Sequence, residues 1–84
     1  MKFYYVTFRS VTHAQRGERL LQKEGLRCML LRTPKWMEQQ GCGYSLRVQT
    51  HRAAESAQAL RREAVDFRKI YLLRENGKGE ELSL

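Results

Sequence analysis

Residues 41–49 read Gly-Cys-Gly-Tyr-Ser-Leu-Arg-Val-Gln, and this stretch bears on both the fold and the function. Apolar and polar side chains alternate from Tyr44 onward, with Tyr44, Leu46 and Val48 on one face, as in a half-buried strand. Cys42 stands just before that strand, between two glycines. Glycine neighbours leave a sulfur little steric cover and let another molecule approach closely. The stretch therefore predicts a strand that begins beside an exposed, reactive thiol.

Three further strands are predicted on either side of this one. Residues 2–8 are rich in aromatic and β-branched side chains, and residues 27–32 and 67–73 are similarly apolar. Thr33-Pro34 ends the second strand because proline cannot donate a hydrogen bond to a sheet. A loop of about ten residues then leads to Gly41.

Two helices are predicted between the strands. The first begins at Thr12, which forms a capping box with Gln15, or alternatively at Ser10, and Gly25 follows its last turn. The second is capped by Thr50. Its buried stripe is rich in alanine, so it can pack close to a sheet: Ala53, Ala57, Leu60 and Ala64.

The element order β-α-β-β-α-β predicts an α+β fold. Two right-handed crossovers around one sheet give a ferredoxin-like βαββαβ arrangement, with a four-stranded antiparallel sheet and two helices on one face. We expect one domain over residues 1–74 and a frayed, polar C-terminal tail over residues 75–84. The other face of the sheet stays open unless a partner covers it.

Size and composition limit the classes of function. The chain has 84 residues and a net charge of +7, and arginine supplies 11 of its 16 basic residues, which favours phosphate or carboxylate partners. It has neither a secretory leader nor a long apolar segment, which indicates a soluble cytoplasmic protein that does not enter a membrane. Without a C-x-x-C motif, neither a zinc site nor a thioredoxin-like site is predicted, and no metal or cofactor is expected.

The predicted topology gives Cys42 a definite neighbourhood. The first and third strands are antiparallel neighbours, so Cys42 is expected near the start of the first helix, at residues 10–14. A helix N-terminus carries partial positive charge, which lowers the pKa of a thiol. Cationic side chains are expected at the same edge and would favour a thiolate further: Arg9, His13, Arg32 and Lys35. The other cysteine, Cys28, is interpreted as a small buried apolar residue.

The motifs around Cys42 resemble those of a small bacterial family of unknown function, described as selenium/sulfur (Se/S) carrier-like. Its members have a Thr-Pro-Arg/Lys element, then Ser-Cys-Gly-hydrophobic-Ala-hydrophobic-Arg; here Thr33-Pro34-Lys35 precedes Cys42-Gly43 and Arg47. Gly41 and Ser45 replace the usual small polar residue and alanine. The resemblance covers residues 2–73.

The resemblance implies that Cys42 carries sulfur or selenium as a persulfide or selenosulfide. Gly41, Gly43 and Arg47 would support this carrier thiol, together with the cationic side chains expected at its edge. The partners would be sulfur or selenium donor and acceptor proteins. No carboxylate pair is expected near the thiol and the chain has no phosphate loop, so a non-catalytic carrier or binding protein is favoured over an enzyme.

Two alternatives remain open. One is nucleic-acid binding through the basic surface and an open face with Tyr5, Tyr71 and Arg47, although the third strand has one aromatic residue where the RNA-recognition module needs two. The other is a protein-interaction module, in which Tyr5, Tyr71 and Leu73 form the surface of a homodimer.

Overall fold

The computed structural model describes residues 3–34, 43–49, 52–73 and 79–82. These residues form two helices and five strands, in this order: β1 (Phe3–Phe8), α1 (Val11–Lys23), β2 (Cys28–Arg32), β3 (Tyr44–Gln49), α2 (Ala53–Arg62), β4 (Ile70–Leu73) and β5 (Gly79–Leu82).

The five strands form one antiparallel sheet in the order β2-β3-β1-β4-β5. The first six elements follow the predicted β-α-β-β-α-β order, so the α+β class is confirmed. The predicted number of four strands was wrong, because β5 pairs with β4 inside the segment that we expected to be a frayed tail. An ion pair of 3.3 Å between Lys69 and Glu81 also ties β5 to the chain before β4.

Both helices pack on the same face of the sheet. Gly17 of α1 lies so close to the sheet and to α2 that a β-carbon there would lie 3.0 Å from Phe8, 3.1 Å from Leu46 and 3.2 Å from Leu60. Glycine at this position therefore allows α1 to lie close to both the sheet and α2. The core between them is apolar and includes Val6, Phe8, Ala14, Leu21, Leu46, Val48, Ala57, Leu60 and Ile70.

Helix α1 is capped two residues earlier than its predicted capping box. Ser10 is the N-cap residue, and its hydroxyl accepts a hydrogen bond of 3.3 Å from the backbone N–H of His13. Thr12 lies inside the first turn, so the prediction of Thr12 as the cap was wrong and the alternative, Ser10, is confirmed. Gly25 follows the last turn with a φ of +77°, as predicted for a residue that ends a helix in the left-handed region.

Helix α2 begins at Ala53, with Arg52 in the N-cap position and no side-chain cap. The predicted cap, Thr50, lies outside the described residues. The hydroxyl of buried Ser56 donates a hydrogen bond of 2.8 Å to the Arg52 carbonyl. Ala64, which we predicted to belong to the buried stripe, lies beyond the helix with a φ of +56° and is exposed.

Strand β4 begins at Ile70, three residues later than predicted. The Lys69 N–H donates to the Thr7 hydroxyl over 3.1 Å, and the Arg68 N–H donates to the Thr7 carbonyl over 2.7 Å. Two residues thus face one residue of β1, as in a β-bulge. The Thr7 hydroxyl therefore interrupts the regular backbone hydrogen bonding, and β4 begins only after this point.

Candidate functional site

The end of β1 and the start of β3 lie side by side, as the topology predicted. Phe8, the last residue of β1, pairs with Tyr44, the first residue of β3. Buried Gly43 precedes Tyr44, and its carbonyl accepts a hydrogen bond of 3.0 Å from the Thr33 N–H. The chain that follows Cys42 therefore enters the sheet between the ends of β1 and β2. We call this the entry edge. Gly41, Cys42 and Lys35 themselves lie outside the described residues.

The N-terminus of α1 lies at the entry edge, because Ser10 follows Phe8 by only two residues. The Ser10 hydroxyl bonds the His13 N–H and lies 2.7 Å from the Nδ1 atom of the His13 ring. The first turn of α1 contains no acidic residue. The partial positive charge of the helix N-terminus is therefore not offset within that turn.

Two arginines add positive charge to the entry edge. Arg9 directly follows β1 and is exposed. Arg32, also exposed, ends β2 opposite Tyr44, and its guanidinium carbon lies 5.8 Å from the centre of the Tyr44 ring. The described part of the expected site thus brings together Arg9, His13 and Arg32. An anion at this edge would meet two arginine guanidinium groups beside the N-terminus of α1.

A pair of hydroxyl groups fixes the turn that follows β2. The Thr33 Oγ1 and Ser45 Oγ atoms lie 2.5 Å apart, and Ser45 is fully buried. Thr33 belongs to the Thr-Pro-Lys motif and Ser45 to the strand after the cysteine, so this bond joins the two motifs. Sequence reasoning treated Ser45 only as a small residue. Ser45 pairs with Leu31, and Thr33 lies two residues after Leu31 on the same side of the chain. A prediction of this strand register could therefore have identified the contact.

Arg47 lies away from the entry edge. It follows Gly43 by four residues along an extended strand, which corresponds to about 13 Å. Its side chain lies on the open face of the sheet, 4.5 Å from the centre of the Phe3 ring, and one of its nitrogens donates to the sulfur of Met29 over 3.4 Å. The structure thus separates Arg47 from the other described residues of the predicted site.

Cys28 lies at the opposite end of the sheet from Gly43. It is half-buried at the start of β2, pairs with Val48 and packs against the edge of the core. Burial raises the pKa of its thiol to about 11, and the negative charge of Glu18 adds to the rise. Cys28 is therefore a neutral thiol at physiological pH, which fits its interpretation as a small apolar residue.

Burial limits what the open face offers to a nucleic acid. Tyr5 pairs with both Arg47 and Tyr71, so the three share this face as expected. Tyr5 is only 6% exposed, however, and Tyr71 is half-buried. Stacking of bases on exposed rings is how such sheets bind single-stranded RNA, and Tyr5 is too buried for it.

The described ranges contain neither a metal-binding cluster nor a membrane-spanning helix. Within residues 3–34, 43–49, 52–73 and 79–82, no group of three or more His, Cys, Asp or Glu side chains is arranged to hold a metal ion. Neither helix in these ranges has the length and apolar character needed to cross a lipid bilayer.

Comparison with known proteins identifies the family. A search of curated proteins gave no match. A family model described as "Putative Se/S carrier protein-like" matches residues 3–72, which include the entry edge and all of β3. Since this match covers most of the 84 residues, the chain belongs to the Se/S carrier protein-like family.

Proposed function

We propose that this protein is a sulfur or selenium carrier that holds its cargo on Cys42 as a persulfide or selenosulfide. Membership of the Se/S carrier protein-like family supports the carrier role. The observation that carries the assignment to Cys42 is the pairing of Phe8 with Tyr44, because it brings the chain after Cys42 to the N-terminus of α1. We also propose that the fold is a ferredoxin-like arrangement to which β5 adds a fifth strand.

The electrostatics of the entry edge suit a thiolate at Cys42. The α1 N-terminus carries partial positive charge, and Arg9 and Arg32 add full charges. Such surroundings lower the pKa of a thiol and raise its thiolate fraction at neutral pH. In this proposal Lys35 acts in the same way, and Gly41 leaves room for a partner to approach.

His13 is proposed to assist at the same edge. Its Nδ1 atom lies 2.7 Å from the Ser10 hydroxyl, so the capping residue also orients the ring. A protonated imidazole would stabilise an anionic sulfur, and a neutral one could accept the thiol proton.

Loading requires one nucleophilic displacement and no external oxidant. The Cys42 thiolate attacks the outer sulfur of a persulfide on a donor protein. The new S–S bond forms as the donor's own S–S bond breaks, and the donor cysteine leaves with the electron pair as a thiolate. Cys42 then bears the persulfide. Unloading repeats the displacement: a nucleophile of the acceptor takes the outer sulfur and Cys42 leaves as the thiolate. A selenosulfide would follow the same path.

The partners of this cycle are a donor and an acceptor protein that dock in turn at the entry edge. We propose that both are cytoplasmic, because a persulfide carrier needs a reducing compartment in which its thiol is not locked in a disulfide. The chain itself then acts as a carrier and not as an enzyme.

Loading can be tested with two single-cysteine variants treated with inorganic polysulfide. We expect intact mass spectrometry to show one added sulfur atom on wild type and on Cys28→Ser, and none on Cys42→Ser. Cys28→Ser is the matched control because it removes the other thiol. Undiminished loading of a folded Cys42→Ser variant would refute the proposal.

A further inference from the structure

A second site is suggested by a cavity at the end of the sheet opposite the entry edge. It has a volume of about 230 Å³ and lies where β1 and β2 begin and β3 ends. Its walls combine two arginines with apolar and neutral polar side chains: Phe3, Arg27, Cys28, Met29, Arg47 and Gln49. None of the described residues that line it is acidic. The carrier chemistry on Cys42 makes no use of this cavity.

Arg47 is held in place there by groups that leave most of its hydrogen-bonding capacity unused. Phe3 packs under its guanidinium at 4.5 Å, and the sulfur of Met29 accepts one bond of 3.4 Å. A thioether is a weak acceptor, whereas a guanidinium has five N–H donors in a planar fork. Within the described residues, neither Arg47 nor Arg27 forms an ion pair with a carboxylate. The described residues thus orient the guanidinium of Arg47 without neutralising its charge.

The rest of the cavity favours an anion of small size. Cys28 is a neutral thiol, because burial raises its pKa to about 11, so it does not repel negative charge. Glu18, whose charge contributes to that rise, is not among the lining residues. The volume is below the range of about 300–1,000 Å³ that is typical of pockets for larger ligands. Phe3 and Met29 provide an apolar wall beside the two cations.

We propose that this cavity binds a small organic oxyanion, in which a carboxylate or phosphate group meets Arg27 and Arg47 while an attached apolar group contacts Phe3 and Met29. Arginine binds both carboxylate and phosphate groups in a bidentate manner, so the two arginines suit either headgroup. The site is independent of the thiol, because it lies at the other end of the sheet and contains no group of the entry edge.

Benzoate, phenyl phosphate and inorganic phosphate are suitable probes for a titration followed by ¹H–¹⁵N NMR. We expect benzoate or phenyl phosphate to shift the amide signals of Cys28, Met29 and Gln49, and whichever of them binds more tightly identifies the headgroup. Inorganic phosphate should bind more weakly than phenyl phosphate because it cannot contact the apolar wall. Equal affinity of these two, or shifts confined to residues 10–14, would overturn the proposal.

Charge-removing variants provide the second part of the test. Arg47→Gln and Arg27→Gln should each weaken binding by about tenfold or more, as expected for the loss of a charge-assisted hydrogen bond. Arg19→Gln is the matched control, because Arg19 is exposed on α1 and does not line the cavity. Arg27 is exposed, so its variant should fold even if Arg47→Gln does not. If Arg27→Gln and Arg19→Gln weaken binding equally, the loss of affinity reflects only the change in net charge, and the proposed site is refuted.

Discussion

Replacing Cys42 with serine leaves Cys28 as the only thiol in the chain, so its reactivity can be measured alone. Burial, assisted by Glu18, raises the pKa of Cys28 from an ordinary 9.0 to about 11. At pH 8 this change of two units lowers the thiolate fraction roughly 100-fold. Because a more basic thiolate is also a better nucleophile, by about six- to tenfold over two units, the net alkylation rate should fall only about ten- to fifteenfold.

The assay is iodoacetamide labelling of Cys42→Ser between pH 7 and pH 11.5, followed by intact mass spectrometry, with the urea-unfolded variant as the reference. The rate for the folded protein should still be rising at pH 10, where the rate for the unfolded chain has levelled off. Glu18→Gln should lower the apparent pKa only slightly, because burial is the larger cause. A folded protein that labels as fast as the unfolded chain at pH 8, or an apparent pKa near 9, would refute this reasoning.

Two predictions concern stability and can be measured by urea denaturation. Gly17→Ala should destabilise the fold by about 1 kcal/mol. The extra methyl group costs about 1–3 kcal/mol by overpacking, which outweighs a helix-propensity gain of about 1 kcal/mol. The loss of stability should be smaller in a Leu60→Ala background, because that change removes one of the close contacts. Thr33→Val should cost about 1–3 kcal/mol by leaving the buried Ser45 hydroxyl without its partner, and adding Ser45→Ala should recover much of that loss.

Each of these stability predictions has an outcome that contradicts it. Gly17→Ala at or above wild-type stability would mean that Phe8 and its neighbours yield to the extra methyl group. A double Thr33→Val/Ser45→Ala variant as unstable as the single one would mean that the hydroxyl pair is not the source of the loss. Circular dichroism of each variant before denaturation checks that the fold is retained.

The arrangement of the first six elements could be predicted because it depends on local patterns. The alternation of Tyr44, Leu46 and Val48 identifies β3, and Gly25 marks the end of α1. The handedness of crossover connections then makes β1 and β3 neighbours. Because of this rule, the pairing of the end of β1 with the start of β3, at Phe8 and Tyr44, could be predicted from the sequence.

Features that depend on contacts between distant residues were not predictable. The residues of β5, Gly-Glu-Glu-Leu, lack strand-like alternation and are ordered by pairing with β4. The Thr7 hydroxyl replaces a backbone acceptor for Lys69, which no local pattern reveals. Thr12 and Ser10 both fitted the local pattern of a helix cap, and the structure shows that Ser10 is the cap.

The expected site could be predicted in part. Arg9, His13 and Arg32 lie beside the entry edge because they stand at or next to the ends of β1, α1 and β2, whereas their role toward Cys42 stays a prediction. Arg47 was grouped with them through its motif, whereas it lies four residues along β3 from Gly43, beside Phe3 on the open face. The role of Cys42 as the carrier thiol stays a prediction.

The most direct test of the carrier role is to map the cargo sulfur and then follow its release. Wild-type protein is loaded with isotopically labelled polysulfide, alkylated and digested, and the labelled sulfur is located by peptide mass spectrometry. A second sample is treated with an excess of a small thiol before alkylation. If Cys42 is the carrier thiol, the label lies on the peptide containing Cys42 and leaves it within minutes of thiol addition. Label on Cys28, or label on Cys42 that the thiol does not remove, would contradict it.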